Sequence, residues 1–510
     1  MSPVLLDETA ARQPRSVSET VYRRTLMVCS VIAGVGLLCH LVLMLWARNE
    51  FTQPESVVAA QSMMLARDGT LYYDLKHFPY TVCAYMPLFY LFEAALIKLG
   101  LGAFMAGRIL SFGALLGTFA LGWRLAMLYT GNRYCAWTAT VLCASTSILI
   151  SWGTVAQVDS VALFFSVAAF YCYSLYAIRG EHALILAGAF VIAAVFTKQT
   201  FLACPAAISL ALFLDRPKVG LKFAAGVGGL ILLAVIAINL AMNGRFLTNT
   251  IFANLNPFAA EKFGQHIHYI LIAAGQLIII VMLGARAAWR GPGRALLIYL
   301  GFTTAMLAAT AGKVGSDANY QMEPTFVLIL CACIALEALD FFGLLFRGSK
   351  TWIPLLQLLL AIHLVLNFRI TASFLPERFA KEQMFRAQIA ALRPYFAGDG
   401  RVLSSELNAL VQLRGRIEVE PLIYRLLVRA GRIDPEPLRH EIAQQAFSVI
   451  VLFQDLSKPT EMDLEMPNLP ESQMNEIRKQ YRFVKHIPGP YLGGVYVYEP
   501  AGKNAQGSHG

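Results

Sequence analysis

Residues 24 to 370 are an alternation of eleven apolar runs and short polar loops, and this pattern confines the chain to a helical membrane protein. No water reaches the hydrocarbon layer to satisfy backbone N–H and C=O groups, so apolar runs of this length must satisfy them internally as helices. The predicted spans are 24 to 46, 106 to 128, 135 to 151, 157 to 178, 182 to 197, 199 to 214, 220 to 241, 268 to 285, 294 to 311, 324 to 346 and 352 to 370. Composition agrees: 57% of the 510 residues are apolar and 15% are charged, outside the range of soluble domains. The net charge of +10 would suit a nucleic-acid binder if the chain were soluble. Here most Lys and Arg lie in loops, where they set topology, and a nucleic-acid role is excluded.

The basic loops fix an orientation. Residues 1 to 22 are polar, with Arg12, Arg15, Arg23 and Arg24 at or near their end, and read as a cytoplasmic tail; the first loop, 47 to 105, is then outside. Loops Arg179 to His182, Asp215 to Lys222, Arg286 to Arg294 and Arg347 to Lys350 all fall in the cytoplasm only if Tyr85 to Leu99 does not cross. That segment carries Glu93 and Lys98 and is expected to be an amphipathic helix in the outer interface. An odd span count leaves the C-terminus outside. Domain 23 to 370 is the membrane part. Residues 371 to 510 gain charge and prolines, and are expected to form a small extracytoplasmic α/β domain with strands at RVLSSE, GRIEVE, FSVIVLF and GGVYVYEP. Helical patterns surround Glu382 to Leu392 and Glu441 to Phe447, and the acidic stretch 455 to 472 reads as a loop.

Under this topology an acidic first loop, Asp159, Lys198 and Lys313 face one compartment. Lys198 is the tip of a hairpin between two apolar runs whose far ends are basic. Ionisable groups at membrane depth are costly and mark functional sites. The ordinary alternatives are a capping or exposed Glu55, an interfacial anchor at Glu50, an N-cap at Asp159 and a Lys198 that snorkels to headgroups. Tyr72, Tyr73, Phe78, Tyr80, Tyr85, Phe89, Tyr90 and Phe92 read as an interfacial aromatic belt, with sugar stacking as the sharper alternative. His266 and His268 form a His-x-His without a third ligand, and the nine cysteines show neither zinc spacing nor a disulfide framework.

Several stretches resemble polytopic glycosyltransferases of the GT-C type, in the branch of lipid A aminoarabinose transferases and protein O-mannosyltransferases. They are an acidic residue after the first span, QSMMLARDGTLYYD, YMPLFY at 85 to 90, Gly107-Arg108, Asp159 ahead of Phe164-Phe165, and Thr197-Lys198. The resemblance implies a mainly α, GT-C-like membrane fold and transfer of a sugar from a polyprenyl-phosphate donor to a lipid, glycan or protein at the outer face of the inner membrane. It also implies an acidic base in the first outer loop, commonly an Asp-Glu pair, and basic residues on the donor phosphate. Here the pair reads Pro54-Glu55.

Such a transfer needs a carboxylate to take the proton of an acceptor hydroxyl and cations to hold the departing phosphate. Glu55 is the first candidate base, Glu50 the second, and Asp159 orients substrate or shares the proton. Lys198, Arg108 and Lys313 are the candidate phosphate ligands; Tyr85, Asn319 and Tyr320 are the candidate sugar contacts. No cofactor is certain, and a divalent metal is left open. A transporter or flippase of a lipid-linked glycan and a non-catalytic assembly subunit are the competing classes. No internal repeat of the kind that builds transporters is visible.

Overall fold

The computed structural model describes residues 17–347, 353–458 and 466–502. Each expected span is a helix or a broken helix, from Val17–Trp46 and Ala103–Thr130 through to Ile353–Leu392. Among the described residues six helices are long and apolar enough to cross a membrane, or seven if the bent pair Arg133–Ser145 and Ser147–Gly153 is one span. Val158–Ser174, Glu181–Thr197, Ala203–Asp215 and Arg294–Thr310 have 13 to 17 residues. At 1.5 Å per residue they reach about 20 to 26 Å, short of a hydrocarbon layer of about 30 Å. The chain is a multi-pass, mainly α membrane protein.

The bent pair turns by 59° at Thr146. Backbone groups released inside the bundle need other partners. Asn367 Oδ1 accepts from the Ser147 N–H at 3.0 Å and from its hydroxyl at 3.0 Å, while Thr146 Oγ1 donates to Leu142 O at 2.6 Å.

The loop 47 to 105 holds two helices. Gln53–Asp68 starts with Pro54 in its first turn and stops at Gly69, whose φ of 70° is the left-handed position a helix C-cap asks of glycine. Leu88–Lys98 has 11 residues, about 16 Å, too short to cross. It is not a simple surface helix, however. Glu93 is fully buried and accepts from Ser62 Oγ at 2.5 Å, on the neighbouring helix. The expected aromatic belt is largely core: Tyr72, Phe89 and Tyr90 pack with Val158 and Phe246, Tyr80 packs on the C-terminal domain, and Phe92 stays exposed.

The C-terminal sheet has β1 Arg401–Ser404, β2 Phe447–Leu452, β3 Tyr481–Ile487 and β4 Val495–Pro500, in the order β1-β2-β4-β3. β1 and β2 are parallel; β4 runs antiparallel to β2 and β3. Three of the four expected strands are present. GRIEVE is not a strand; Val419 makes a single bridge to Tyr80 of the first outer loop. β3 escaped the sequence reading because it is buried only at its two ends, so its pattern lacks a clean apolar alternation. The helix expected over Glu441 to Phe447 lies at Glu436–Ala443, and Phe447 opens β2. The expected loop 455 to 472 falls partly outside the described residues, and a helix, Glu471–Gln480, has begun by its end.

The expected domain boundary at 371 lies inside one helix. Ile353–Leu392 has 40 residues, about 60 Å, and runs from the bundle into the sheet domain. Ile389 and Leu392 at its end join Val402, Val449 and Val495 of the sheet, together with Ala59 and Ala60 of the 47 to 105 loop, in one hydrophobic cluster. Helical bundle, this loop and the sheet are therefore packed against each other, and the candidate site lies at that junction.

Candidate active site

An open cavity of about 170 Å³ is walled on one side by the loop between the first two long helices and on the other by the C-terminal domain. Glu50, Gln61, Tyr85 and Tyr90 come from the 47 to 105 loop, Asn254, Lys313 and Tyr320 from later loops, and Glu406 and Glu420 from the C-terminal domain. A smaller chamber, lined by Asp159, Lys198, Asn319 and Glu323, shares Tyr320 with it.

Glu55, the first candidate base, is fully buried and occupied. It accepts from Arg108 Nε at 2.7 Å and Nη2 at 2.9 Å, from Phe51 N at 2.6 Å and from Ala156 N at 2.7 Å. A carboxylate offers about four acceptor positions. All are taken, so Glu55 has none left for an acceptor hydroxyl. Arg108 is equally committed: it also donates to Ala47 O at 2.9 Å and Asn49 O at 2.5 Å, and lies 3.9 Å above the Phe51 ring. This pair clamps the segment 47 to 51 and does not line the cavity.

Glu50 sits in that clamped segment and does line the cavity. The residue is 3% exposed and its Oε2 has no hydrogen-bond partner among the described residues. Burial pushes its carboxyl well above the usual carboxylate range, with Glu406 adding to the shift and the Ser56 hydroxyl opposing it. The clamp has a second half on the long helix: Glu382 accepts from the backbone N–H groups of Arg48 and Asn49 at 3.2 and 3.1 Å.

Asp159 is not an N-cap, a place taken by Gln157. It pairs with Lys198, Nζ to Oδ1 at 2.6 Å, and accepts from Asn319 Nδ2 at 3.0 Å. Lys198 is the cap residue ending Glu181–Thr197, as the hairpin reading expects, but it is buried and does not snorkel. Its ammonium lies 4.2 Å from the Tyr320 ring centre and 5.5 Å from that of Tyr85. Lys313 reaches the larger cavity and donates to Asn254 Oδ1. Burial, together with the nearby Lys198, lowers its ammonium to about 8.

Of the nine candidates, Glu50, Lys313, Tyr85 and Tyr320 line the larger cavity, Asp159, Lys198, Asn319 and again Tyr320 the smaller, and Glu55 and Arg108 neither. Glu406 and Glu420 were missed, since nothing in the sequence of the C-terminal domain signals that it faces the membrane loops. His266 points inward, its Nδ1 2.8 Å from Gln321 Nε2, whereas His268, two residues on along the same helix, is exposed. Among the described residues no three His, Cys, Asp or Glu side chains are grouped to hold a metal.

The sequence matches no family model and no curated protein. Two crystal structures of ArnT from Cupriavidus metallidurans share its architecture, one in the apo state and one bound to undecaprenyl phosphate. Their TM-scores are 0.61 and 0.64 at 12% and 11% identity, over 92% of this chain and 97% of theirs. The chain thus has the ArnT fold, the polytopic GT-C-type architecture that the sequence led us to expect.

Proposed function

We propose that this chain is a membrane glycosyltransferase that moves a sugar from a polyprenyl-phosphate donor to an acceptor hydroxyl at the outer face of the inner membrane. The observation that carries the reading is a single cavity holding the Glu50 carboxyl, whose Oε2 has no partner among the described residues, and an ammonium, Lys313. In one displacement the acceptor oxygen bonds to the anomeric carbon, its proton passes to Glu50, and the bond from that carbon to the phosphate oxygen breaks. The leaving phosphate is met by Lys313, with Lys198 behind it. Tyr85 and Tyr320 flank the Lys198 ammonium and offer ring faces to the sugar. Inversion at the anomeric carbon follows from a single displacement.

The fold shared with an ArnT structure bound to undecaprenyl phosphate supports a lipid-phosphate donor. The placement of Asp159, Lys198 and Lys313 at helix ends around one junction favours transfer over transport. The test combines purified protein in liposomes, a polyprenyl-phosphate sugar, and mass spectrometry of envelope glycans and lipids from a deletion strain. A sugar missing from one acceptor in the strain, and donor consumption in liposomes when that acceptor is added, is the expected result. An unchanged envelope with no donor consumption rejects transferase activity.

Lys313 gives this reading a pH signature. With its ammonium near 8, it is charged at neutral pH and loses its proton as pH rises through that value. Donor KM should therefore climb above about pH 8, by roughly ten- to hundredfold once the charge-assisted bond of about 1.5 to 3 kcal/mol is lost. Lys313→Ala should show the high KM already at pH 7 and remove that alkaline rise. A wild-type KM that is flat from pH 7 to 9.5 takes Lys313 off the phosphate.

A further inference from the structure

We propose that the C-terminal domain supplies a second carboxyl to this site: Glu406 stands beside Glu50 in the cavity and sets the strength of Glu50 as a base. The inference rests on the reading of Glu50 as base.

Glu406 follows β1 and opens the helix Leu407–Leu413. Its place is fixed by backbone bonds: Ser405 N donates to Val451 O at 2.8 Å, and Glu406 N donates to Ser404 Oγ at 3.0 Å. Two residues on, Asn408 Nδ2 donates to Asn49 Oδ1 at 3.1 Å, tying the sheet domain to the residue next to Glu50. Glu406 is 1% exposed and lines the cavity. The N–H groups of Asn408 and Ala409, in the first turn of the helix it caps, face its carboxyl, and its Oε2 is left without a partner among the described residues.

The charged and titratable groups around Glu50 come from every wall. They are Glu406 and Tyr491 from the C-terminal domain, Glu55 and Arg108 from the clamp, and Lys313 and Glu420 across the cavity. Arg108 is engaged by Glu55, so the group with the largest charge effect on Glu50 is Glu406. Two carboxyls in one poorly solvated site resist losing both protons. A charge on Glu406 therefore raises the proton affinity of Glu50 and makes it a stronger base. Burial pushes the Glu406 carboxyl up as well, so the two carboxyls compete for one negative charge. Glu406 acts through Glu50 and is a positioning residue. Base strength then depends on the C-terminal domain being docked.

The test is the pH dependence of kcat and donor KM for the wild type, Glu50→Gln, Glu406→Gln and Glu406→Met, all as full-length protein in liposomes. Both Glu406 variants remove the carboxyl that competes with Glu50 for that charge, so the limb where turnover rises with pH should move to lower pH by about one unit. The plateau should fall severalfold while donor KM holds. Whichever neutral variant folds must show the shift. A limb coincident with wild type overturns the role of Glu406, whatever the plateau does, provided Glu50→Gln is inactive. Wild-type turnover in Glu50→Gln instead overturns the reading of Glu50 itself.

Discussion

Glu50→Gln should lower turnover by about 10²- to 10⁴-fold, the range general-base catalysis supplies, with little change in donor KM or thermal stability. Glutamine keeps the shape and a hydrogen-bonding group but cannot take a proton. Stability should hold because the replaced Oε2 has no partner to lose. Two companion variants give the result its meaning. Asp159→Asn should be milder, since Asp159 already binds Lys198 and Asn319 and would act by holding the lysine for the phosphate. Glu55→Gln should lower expression and stability together with activity, since it breaks the clamp that places Glu50. The measurement is kcat at saturating donor on protein shown to be folded. Normal turnover in Glu50→Gln with collapse in Asp159→Asn would move the base to the smaller chamber, and normal turnover in both would remove carboxylate-base catalysis from this cavity.

How far the sequence could be read follows from the range of the signals involved. The helices were legible because hydrophobicity is local: each of the eleven apolar runs is a helix or a broken helix, and the segment Tyr85 to Leu99, expected not to cross, holds a helix of only 11 residues. The break at Thr146 was not, since its stability depends on Asn367, 220 residues away from Ser147. In the candidate site the ionisable residue types are visible in the sequence, but their pairing is not. Glu55 and Glu50 are five residues apart in one acidic loop, and only the fold decides that Arg108 takes the first and leaves the second facing the cavity. The same limit hid Glu406, whose neighbour in space lies more than 350 residues earlier.

Arg108→Met should be the most destabilising single change of this set, by about 3 to 5 kcal/mol, because it leaves Glu55 as a buried charge without a cation. Both side chains are 0% exposed, so water cannot replace the lost partner. The carbonyls of Ala47 and Asn49 lose their donors too, which loosens the turn that carries Glu50. Glu55→Met should cost a similar amount, since a guanidinium is then stranded among Phe51 and Phe104. The double variant Glu55→Met/Arg108→Met should be more stable than either single, because no uncompensated charge remains and the thioethers refill the space. It should still turn over poorly: packing is restored, but the bonds that aim residues 47 to 51 are not. Equilibrium unfolding of the four proteins in one detergent, with turnover measured on the same samples, separates the two effects. A double variant no more stable than its worse parent would show that the site is held by shape alone, and a double variant with wild-type turnover would show that the clamp does not position Glu50.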